Sequence, residues 1–159
     1  MPSHAEHHAA PHTKTWGGRL DSHVRSIMRA GVISVPEDAS VHQVQRALAD
    51  HAVHAVLVIG VRSHAPMGWA TTRGVLERAF DDAALLPAAL AVTEPVEAIA
   101  PSATAEEALR VMVERGAARL LVCRHPGAPP EGVVTDMDLI RLMAKPRPQG
   151  DLDGRPYRT

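Results

Sequence analysis

The hydrophobic positions of this chain form two matching amphipathic stripes, one in each half. Apolar residues recur at i, i+3, i+6 and i+7 over residues 41–48, and the same spacing returns over residues 105–112. A repeat near 3.6 residues places such positions on one face of a helix. The pattern therefore predicts two helices that each bury one face.

Both predicted helices begin with a capping-box sequence. Ser40 is followed three residues later by Gln43, and Thr104 is followed in the same way by Glu107. In this motif the hydroxyl oxygen accepts a hydrogen bond from the backbone N–H three residues on, and the Gln or Glu side chain reaches back to the first N–H. Each cap contributes about 1 kcal/mol, so the starts of both helices are well defined.

Strand-like segments surround each helix in the same order. One precedes the helix, a continuous apolar run typical of a buried strand follows it, and a turn-rich loop then leads to a short strand opened by glycine. A closing amphipathic helix ends each half. The strand segments lie at residues 32–35, 53–59 and 68–71 in the first half, and at residues 96–99, 119–123 and 132–135 in the second.

The two halves are copies of one β-α-β-β-α unit. With an offset of 64 residues they align without a gap, so that Ser40 coincides with Thr104 and Thr71 with Thr135. A single copy of about 55 residues would be a marginal domain, whereas two copies packed together can share one core. We therefore predict an α/β (α+β) fold in which two tandem βαββα repeats form one module.

Composition divides the chain into five segments. Residues 1–20 are rich in His, Ala and Pro, and residues 145–159 are rich in Pro, Gly and charge; neither shows apolar periodicity, so both are predicted to be disordered tails. The first repeat is assigned to residues 21–80 and the second to residues 92–144. The Ala/Leu-rich residues 81–91 between them are predicted to form a linker helix.

The overall charge argues against polyanionic partners. The 159 residues carry a formal net charge of −1, so the chain has no long-range attraction for nucleic acid or anionic lipid. No apolar stretch approaches the roughly 20 residues of a membrane span, and the N-terminus lacks the pattern of a secretory signal. We expect a cytoplasmic protein with neither a membrane nor nucleic acid as its partner.

The cysteine and the histidines give little support to a redox or metal site. Cys123, the only cysteine, lies in an apolar run and is expected to be a buried structural thiol. His51 and His54 flank a strand and are expected at the surface or lining a cleft. Four further histidines lie in the predicted N-terminal tail without a preformed cage, and only adventitious metal binding is expected of His4, His7, His8 and His12.

The second repeat ends in a strand-turn-helix stretch, Gly132-Val133-Val134-Thr135-Asp136-Met137-Asp138, that resembles the signature of CBS domains. Val24-Arg25-Ser26-Ile27-Met28 and the two pairs of strand and capped helix resemble the same family, so the likeness covers residues 24–143. It implies a Bateman module, a CBS pair with pseudo-two-fold symmetry and clefts between the repeats. Such clefts hold AMP, ADP, ATP or S-adenosylmethionine, and two modules associate into a disc-like homodimer. The family usually senses this ligand and changes the activity of an attached or separate protein.

The resemblance places the ligand at the signature of the second repeat. Thr135 at the strand end is expected to donate its hydroxyl to a phosphate, together with free backbone N–H groups and the positive end of the helix. Asp138, one turn later, is expected to accept from the ribose hydroxyls. Asp136 and Met137 complete the predicted ligand-binding stretch. Considered alone, Thr135 and Asp138 also fit a helix cap.

One cation and three apolar residues complete the predicted site. Arg119, on the preceding strand, is the nearest motif-consistent cation for phosphate charge, with a surface or ion-pair role as the alternative. The adenine base is expected to lie against apolar side chains contributed by Val96, Ile99 and Val134. No separate cofactor is expected, since the nucleotide is itself the regulatory ligand.

The first repeat departs from the signature. It keeps Thr71, but Gly74 stands where the second repeat has Asp138, and Trp69 stands where it has Val133. A glycine has no side chain with which to hold a ribose. We therefore predict one competent site per chain, with the first cleft degenerate or specialised.

Two classes of function follow. No Ser-His-Asp or Cys-His arrangement, Walker loop or dinucleotide fingerprint is recognisable, so no enzymatic activity is expected. The first hypothesis is a nucleotide sensor that signals to a separate protein, and the retained Thr135 and Asp138 favour it. The alternative is a ligand-free interaction module whose closing helices serve only as dimer or partner surfaces, and the loss of the acid at Gly74 favours that.

Overall fold

The computed structural model of this chain describes residues 17–145. Of the tails predicted at residues 1–20 and 145–159, residues 1–16, with the four N-terminal histidines, and residues 146–159 lie outside the described residues. Residues 17–20 were expected to belong to the N-terminal tail but lie in a 3₁₀ helix, Gly17–Asp21. This end is ordered because Leu20 is buried in the core of the second repeat, and because Arg19 donates to the Met143 carbonyl at 2.8 Å.

Each half contains the predicted order of strands and helices. The short α1 (Val24–Ile27) and β1 (Arg29–Ala30) come first. The first copy then has β2 (Ser34–Pro36), α2 (Val41–His51), β3 (Ala55–Ile59), β4 (Pro66–Thr71) and α3 (Thr72–Leu76). Strand β5 (Val92–Glu94) leads into the second copy. That copy has β6 (Ala98–Ile99), α4 (Ala105–Arg115), β7 (Arg119–Val122), β8 (Gly132–Thr135) and α5 (Asp136–Ala144). The predicted βαββα repeat is confirmed in both copies.

Both capping boxes form as predicted. The Gln43 N–H donates to Ser40 Oγ at 3.1 Å while the Ser40 N–H donates to Gln43 Oε1 at 2.9 Å. Thr104 and Glu107 make the same two bonds at 3.2 and 2.9 Å. Helix α4 then ends at Gly116, whose φ of 63° lies in the left-handed region that glycine adopts without strain.

Replacing Thr104 by alanine is expected to lower the free energy of unfolding by about 1 kcal/mol, because the Glu107 N–H loses its acceptor. Urea unfolding of the variant measures this loss. Ser102→Ala, a change at an exposed neighbouring position before the helix, serves as the control. A loss in Thr104→Ala no larger than that in the control contradicts the contribution of the cap.

The two repeats exchange their first strands. One sheet has the order β2-β3-β4-β5 and the other the order β1-β8-β7-β6. Strand β1 precedes the first copy yet pairs antiparallel with β8 of the second, and β5 precedes the second copy yet pairs antiparallel with β4 of the first. Because each sheet contains a strand from the other half of the chain, neither sheet is complete without the other repeat.

The glycine that opens β8 is required by this exchange. A Cβ atom on Gly132 would overlap the carbonyl oxygen of Arg29 and lie 2.9 Å from Met28 Sδ. In the register of the pair, Gly132 faces Ala30 and Val133 faces Arg29. Only a residue without a side chain lets β1 approach β8 this closely, which explains why the repeated strand begins with glycine.

Three apolar clusters form the core. Each repeat has its own cluster between sheet and helices, centred on Val44 and Val56 in the first copy and on Ala108 and Leu120 in the second. A third cluster lies between the two sheets and consists of the buried Leu57, Trp69 and Leu121, surrounded by half-buried residues of both copies. Leu57 and Leu121 occupy equivalent positions in the two repeats. Each repeat therefore contributes the same strand position to the cluster that joins them.

The segment predicted to be a linker helix is not one. Residues 81–91 form turns followed by a short 3₁₀ helix, Ala88–Ala91. Within the segment the backbone makes only short turns, such as the bond from the Leu85 N–H to the Asp82 carbonyl at 3.0 Å. Further bonds tie it to the first repeat: the Ala88 N–H donates to the Ala39 carbonyl at 2.6 Å, and the Val41 N–H donates to the Leu86 carbonyl at 2.8 Å. The linker is therefore packed against α2 as part of the first repeat.

Candidate functional site

A cavity of about 630 Å³ lies between the two repeats, and we call it the inter-repeat cavity. The first copy and β1 contribute two backbone segments to its wall, residues 29–33 and residues 51–55, together with Trp69. The second copy contributes side chains around the junction of β8 and α5. These are Ala118, Arg119, Val133, Thr135, Asp136, Met137 and Arg141.

The pleat of β8 decides which of its residues reach the cavity. Alternate residues of a strand point to opposite faces, so Val133 and Thr135 lie on the cavity face while Val134 points the other way. Cross-strand neighbours share a face, and here Arg29 pairs with Val133 while Arg119 pairs with Thr135. Three strands thus place four side chains on one side of the second sheet.

Of the predicted site residues, four line the cavity and four do not. Thr135, Asp136, Met137 and Arg119 are brought together there as expected. Val134 is fully buried in the core of the second repeat, so the predicted apolar wall falls instead on its neighbour Val133. Three more predicted residues lie outside the lining. Val96 and Ile99 are half-buried and pack against core clusters, and the third is Asp138, the aspartate of the signature.

Thr135 and Asp138 form a complete capping box at the start of α5. The Asp138 N–H donates to Thr135 Oγ1 at 3.2 Å, and the Thr135 N–H donates to Asp138 Oδ2 at 2.8 Å. The Asp138 side chain is only 10% exposed, and its Oδ1 lies 3.7 Å from an Arg141 nitrogen. The capping alternative is thereby confirmed, and the contact of Asp138 with a ribose stays a prediction.

The expectation of free N–H groups at the start of α5 is wrong. The Asp136 N–H donates to the Ala118 carbonyl at 2.9 Å, and the Met137 N–H donates to Asp136 Oδ1 at 2.7 Å. The next N–H, of Asp138, is held by Thr135. The antiparallel approach of β7 and the acidic first residue therefore satisfy donors that a phosphate would otherwise take.

Arg119 is compensated by a neighbouring acid. One guanidinium nitrogen lies 2.5 Å from Glu94 Oε2, and the guanidinium carbon lies 5.9 Å from the centre of the Trp69 ring. The side chain is 14% exposed. The ion-pair alternative for Arg119 is confirmed, and its contact with a phosphate stays a prediction.

At the equivalent strand-helix junction of the first repeat, the chain packs closely against itself. At its helix start, Gly74 is buried against the Ala91 carbonyl, and the Thr71 hydroxyl lies 2.6 Å from that of Thr93. The paired Glu94 and Arg119 occupy the positions that correspond to Ala30 and Ala55 of the inter-repeat cavity. The inter-repeat cavity thus has small residues at two positions whose equivalents carry a large charged pair, and the Arg119 of that pair also lines the cavity.

Sequence reasoning missed most of the wall contributed by the first half. From the first half the prediction omitted Arg29 and the Trp69 ring, and from the second half it omitted Arg141. His51 and His54 line the cavity, as one of their two expected placements allowed. The 64-residue offset alone could not reveal Arg29, because its contact with β8 arises from the strand exchange. The spacing of Met137 and Arg141, four residues apart on a helix, was the available signal for Arg141.

Cys123 directly follows strand β7 and packs against the cluster between the two sheets. Burial and, secondly, the charge of Glu131 raise the pKa of this half-buried thiol above its ordinary value. The thiolate is the reactive form, so a raised pKa lowers its fraction at any given pH. The expected burial of Cys123 is thus only partial, whereas the low thiolate fraction agrees with a structural role.

We expect Cys123 to react with a thiol reagent more slowly in the folded protein than in urea, with a pH–rate curve displaced to higher pH. Alkylation by iodoacetamide between pH 7 and 10, followed by mass spectrometry, measures this curve. Replacing the neighbouring acid, Glu131→Gln, is expected to shift the curve partly back. A folded-state curve at or below the position of the unfolded one contradicts the prediction.

Within residues 17–145, no group of three or more His, Cys, Asp or Glu side chains gathers in a way that could hold a metal ion. The histidines at the cavity, His51 and His54, are accompanied there by a single carboxylate, that of Asp136. The polar lining of this cavity thus consists mainly of hydrogen-bond donors, which suits an anionic ligand better than a cation.

Solved structures with the same fold are CBS domains. The fold is similar to the CBS domain of the bacterial CNNM/CorC family Mg²⁺ transporter, with a TM-score of 0.69 at 18% identity over 79% of this chain and 77% of that one. The ATP complex of that transporter's CBS domain gives 0.68 at 19% identity, over 79% and 89%. The CBS domain of a membrane protein from Sphaerobacter thermophilus gives 0.61 at 26% identity, over 76% and 86%. No curated protein matches this sequence.

The family match covers both halves of the chain. Although all three of these structures are of domains from membrane proteins, no helix in the described part of this chain is long and apolar enough to cross a membrane. The family model for the CBS domain matches residues 24–81 and again residues 89–145, which include all five α-helices and all eight strands of the described residues. This chain therefore belongs to the CBS-domain family, as a tandem pair that forms one Bateman module.

Proposed function

We propose that this chain is a cytoplasmic, non-catalytic regulatory module that binds one adenosine-type ligand and signals to a separate protein. AMP, ADP, ATP and S-adenosylmethionine are the candidate ligands. The observation that carries the proposal is the inter-repeat cavity, a concave space of about 630 Å³ with apolar walls and a few convergent polar groups, as small-molecule sites have. The ATP complex of the similar transporter domain supports the choice of an adenosine nucleotide.

The apolar part of the cavity offers a place for a purine base. Val32, Ile33, Val53, Ala55 and Val133 line it, and all five are half-buried in the free protein. Covering this remaining apolar surface with a base contributes roughly 25 cal/mol for each Å² removed from water. These residues take the part that Val96, Ile99 and Val134 were expected to play.

The Thr135 hydroxyl offers a donor at the polar end. It already accepts a hydrogen bond from the Asp138 N–H, but a hydroxyl is both donor and acceptor, so its own proton is available for a phosphate oxygen. Arg29 and Arg141 lie on the same cavity wall and supply positive charge. The close packing at Gly74 supports a stoichiometry of one ligand per chain.

A thermal-shift panel of AMP, ADP, ATP, S-adenosylmethionine, NAD and cyclic dinucleotides tests the proposal. A ligand at 100 times its dissociation constant stabilises the folded state by about 2.7 kcal/mol. For a domain of this size that is on the order of 5–10 °C. No shift with any adenosyl compound overturns the proposal, and equilibrium dialysis that finds two equivalent nucleotides per chain overturns the single site.

Thr135→Val separates the ligand contact from the cap. It removes the hydroxyl of the cavity, and we expect it to abolish most of the ligand-induced shift. Thr104→Val removes the equivalent hydroxyl of α4, which lies outside the cavity, and serves as the matched control. Both variants lose a cap and therefore some stability, but only the first is expected to lose the response to ligand.

A second candidate function is a dimerising or partner-binding module that needs no ligand. Large apolar side chains are exposed on the closing helices and the turn after the first of them, with Leu76 70% exposed, Ile140 52% exposed and Phe80 fully exposed. We expect a homodimer in solution, which light scattering after gel filtration measures. A dimer combined with no response to any adenosyl compound favours this second function.

A further inference from the structure

We propose that the inter-repeat cavity selects its nucleotide by phosphate charge, binding ATP and ADP more tightly than AMP and disfavouring the cationic S-adenosylmethionine, with Arg29 and Arg141 as the selecting residues. This rests on the proposed function and narrows its ligand class. The two guanidinium groups are on different elements and come from opposite ends of the chain. Both line the cavity because β1, which carries Arg29, is exchanged into the second sheet.

The charged lining of the cavity is strongly unequal in sign. Three arginines line it, Arg29, Arg119 and Arg141, against the single carboxylate of Asp136. Arg119 is compensated by Glu94, which itself lies outside the lining. Two arginines are therefore left against the carboxylate of Asp136, which gives the lining a formal charge of +1. Asp138, 3.7 Å from Arg141, is 10% exposed and lies outside the lining, so an anion is favoured over a sulfonium ligand at the cavity surface.

The two selecting arginines are poorly satisfied within the protein. Arg29 is exposed, and its side chain makes no hydrogen bond or ion pair to any residue between 17 and 145. Arg141 is 62% exposed, and its nearest carboxylate oxygen, on Asp138, is 3.7 Å away, beyond hydrogen-bond distance. Both guanidinium groups can therefore turn to a phosphate without breaking a strong contact, and each can bind two phosphate oxygens in parallel.

The position of both arginines suits a phosphate chain that begins at Thr135. Arg29 lies across from Val133, two residues before Thr135 on the same face of β8. Arg141 lies one helical turn beyond Met137, on the side of α5 that faces the cavity. The two side chains therefore flank Thr135 from the strand side and from the helix side.

Side chains must supply the charge here because the helix start cannot. The N–H groups of Asp136, Met137 and Asp138 are already bonded to protein acceptors. Backbone donors would hold the first phosphate equally well in AMP and in ATP, and would not distinguish them. Flexible, exposed guanidinium groups gain contacts with each added phosphate, and this is the origin of the expected preference.

The other cleft provides an internal comparison. Through the 64-residue offset, Arg29 corresponds to Thr93 and Arg141 corresponds to Glu77. Glu77 is paired with Arg73 on its own helix, so the selecting charges are missing from the closed cleft. The two arginines thus belong to the open cavity alone.

Isothermal titration of the full chain with adenosine, AMP, ADP, ATP and S-adenosylmethionine tests the inference. The buffer is free of magnesium, which would neutralise the phosphates, and is used at low and at moderate salt. We expect ATP to bind at least about tenfold more tightly than AMP at low salt. This ratio of affinities should fall at moderate salt, because salt screens the charges. S-adenosylmethionine is expected to bind no more tightly than adenosine.

Arg29→Thr and Arg141→Gln are each expected to reduce the ratio of the affinity for ATP to the affinity for AMP about tenfold, while leaving the affinity for adenosine unchanged. Arg29→Thr introduces the residue of the equivalent position, and neither side chain is buried, so the fold is expected to persist. Arg110→Gln removes an equally exposed arginine, 67% exposed on α4, and is expected to change nothing.

The outcomes separate this inference from the proposed function. Binding of adenosine compounds with equal affinity for AMP and ATP overturns the charge selection and leaves the nucleotide site standing. An unchanged ATP-to-AMP ratio in both arginine variants, or an equal fall in Arg110→Gln, overturns the role of the two residues. Absence of binding by every adenosyl compound overturns both proposals.

Discussion

Replacing Gly74 by aspartate is expected to destabilise the protein by about 3 kcal/mol and to create no second nucleotide site. By sequence alone this change restores the signature, because Asp138 occupies the equivalent position of the second repeat. In the structure, a Cβ on Gly74 would overlap the Ala91 carbonyl oxygen and lie 2.8 Å from its carbonyl carbon and 2.9 Å from Thr93 Cγ2. Two of these atoms belong to backbone held by strand β5 and its 3₁₀ helix, so the clash cannot be relieved by a side-chain rotation.

Thermal and urea unfolding measure the effect, which should lower Tm by on the order of 10 °C. Gly74→Ala is expected to lose most of the same stability, because the clash begins at Cβ. Arg73→Asp adds an acid at an exposed position of the same helix, and losing its surface pair with Glu77 costs about 0.5 kcal/mol. A Gly74→Asp protein as stable as the wild type, or one that binds two nucleotides, contradicts the closed first cleft.

Replacing Leu57 by alanine is expected to cost about 2–5 kcal/mol and to weaken both repeats together. The side chain is fully buried between the sheets, where it packs with Trp69 and Leu121 in the cluster that joins the halves. Because β1 and β5 also cross between the sheets, we expect one cooperative unfolding transition in wild type and variant alike.

Urea unfolding followed by circular dichroism gives the loss of stability, and hydrogen exchange shows where it is felt. The most protected amides of β7 and β8 should lose as much protection as those of β3, although the change lies in the first repeat. Leu76→Ala makes the same chemical change at a side chain that is 70% exposed and should alter stability by less than about 0.5 kcal/mol. Loss of protection confined to the first repeat argues against a shared core.

The predictable part of the fold was the part encoded by local patterns. The capped helices at Ser40 and Thr104 and the buried strands after them follow from periodicity and cap chemistry, which act within a few residues. The Ala and Leu content of the linker predicts a helix. In the structure the linker is instead held to the first repeat, because its Ala88 N–H donates to the Ala39 carbonyl and its Leu86 carbonyl accepts from the Val41 N–H. The helical preference of the linker residues was thus outweighed by contacts with residues about fifty positions earlier in the chain.

The candidate site was predicted in part for the same reason. Thr135, Asp136 and Met137 were found because they lie within one short signature, and Val134 was misplaced because the signature does not say which face of the strand meets the cavity. Arg29 was missed because it joins the site through strand exchange over about one hundred residues of chain. Pattern reasoning has no access to a contact of that range.

The amino-acid sequence by itself determined the duplication, the order of strands and helices, and the inequality of the copies at Gly74 and Asp138, because these depend on residue type and spacing. Only the tertiary structure decided which cleft is open. Alanines at 30 and 55 leave space in one, whereas in the other the helix start at Gly74 lies directly against the Ala91 carbonyl and Thr93. That outcome depends on how exchanged strands pack across the pseudo-two-fold axis, and packing joins residues that no local pattern relates.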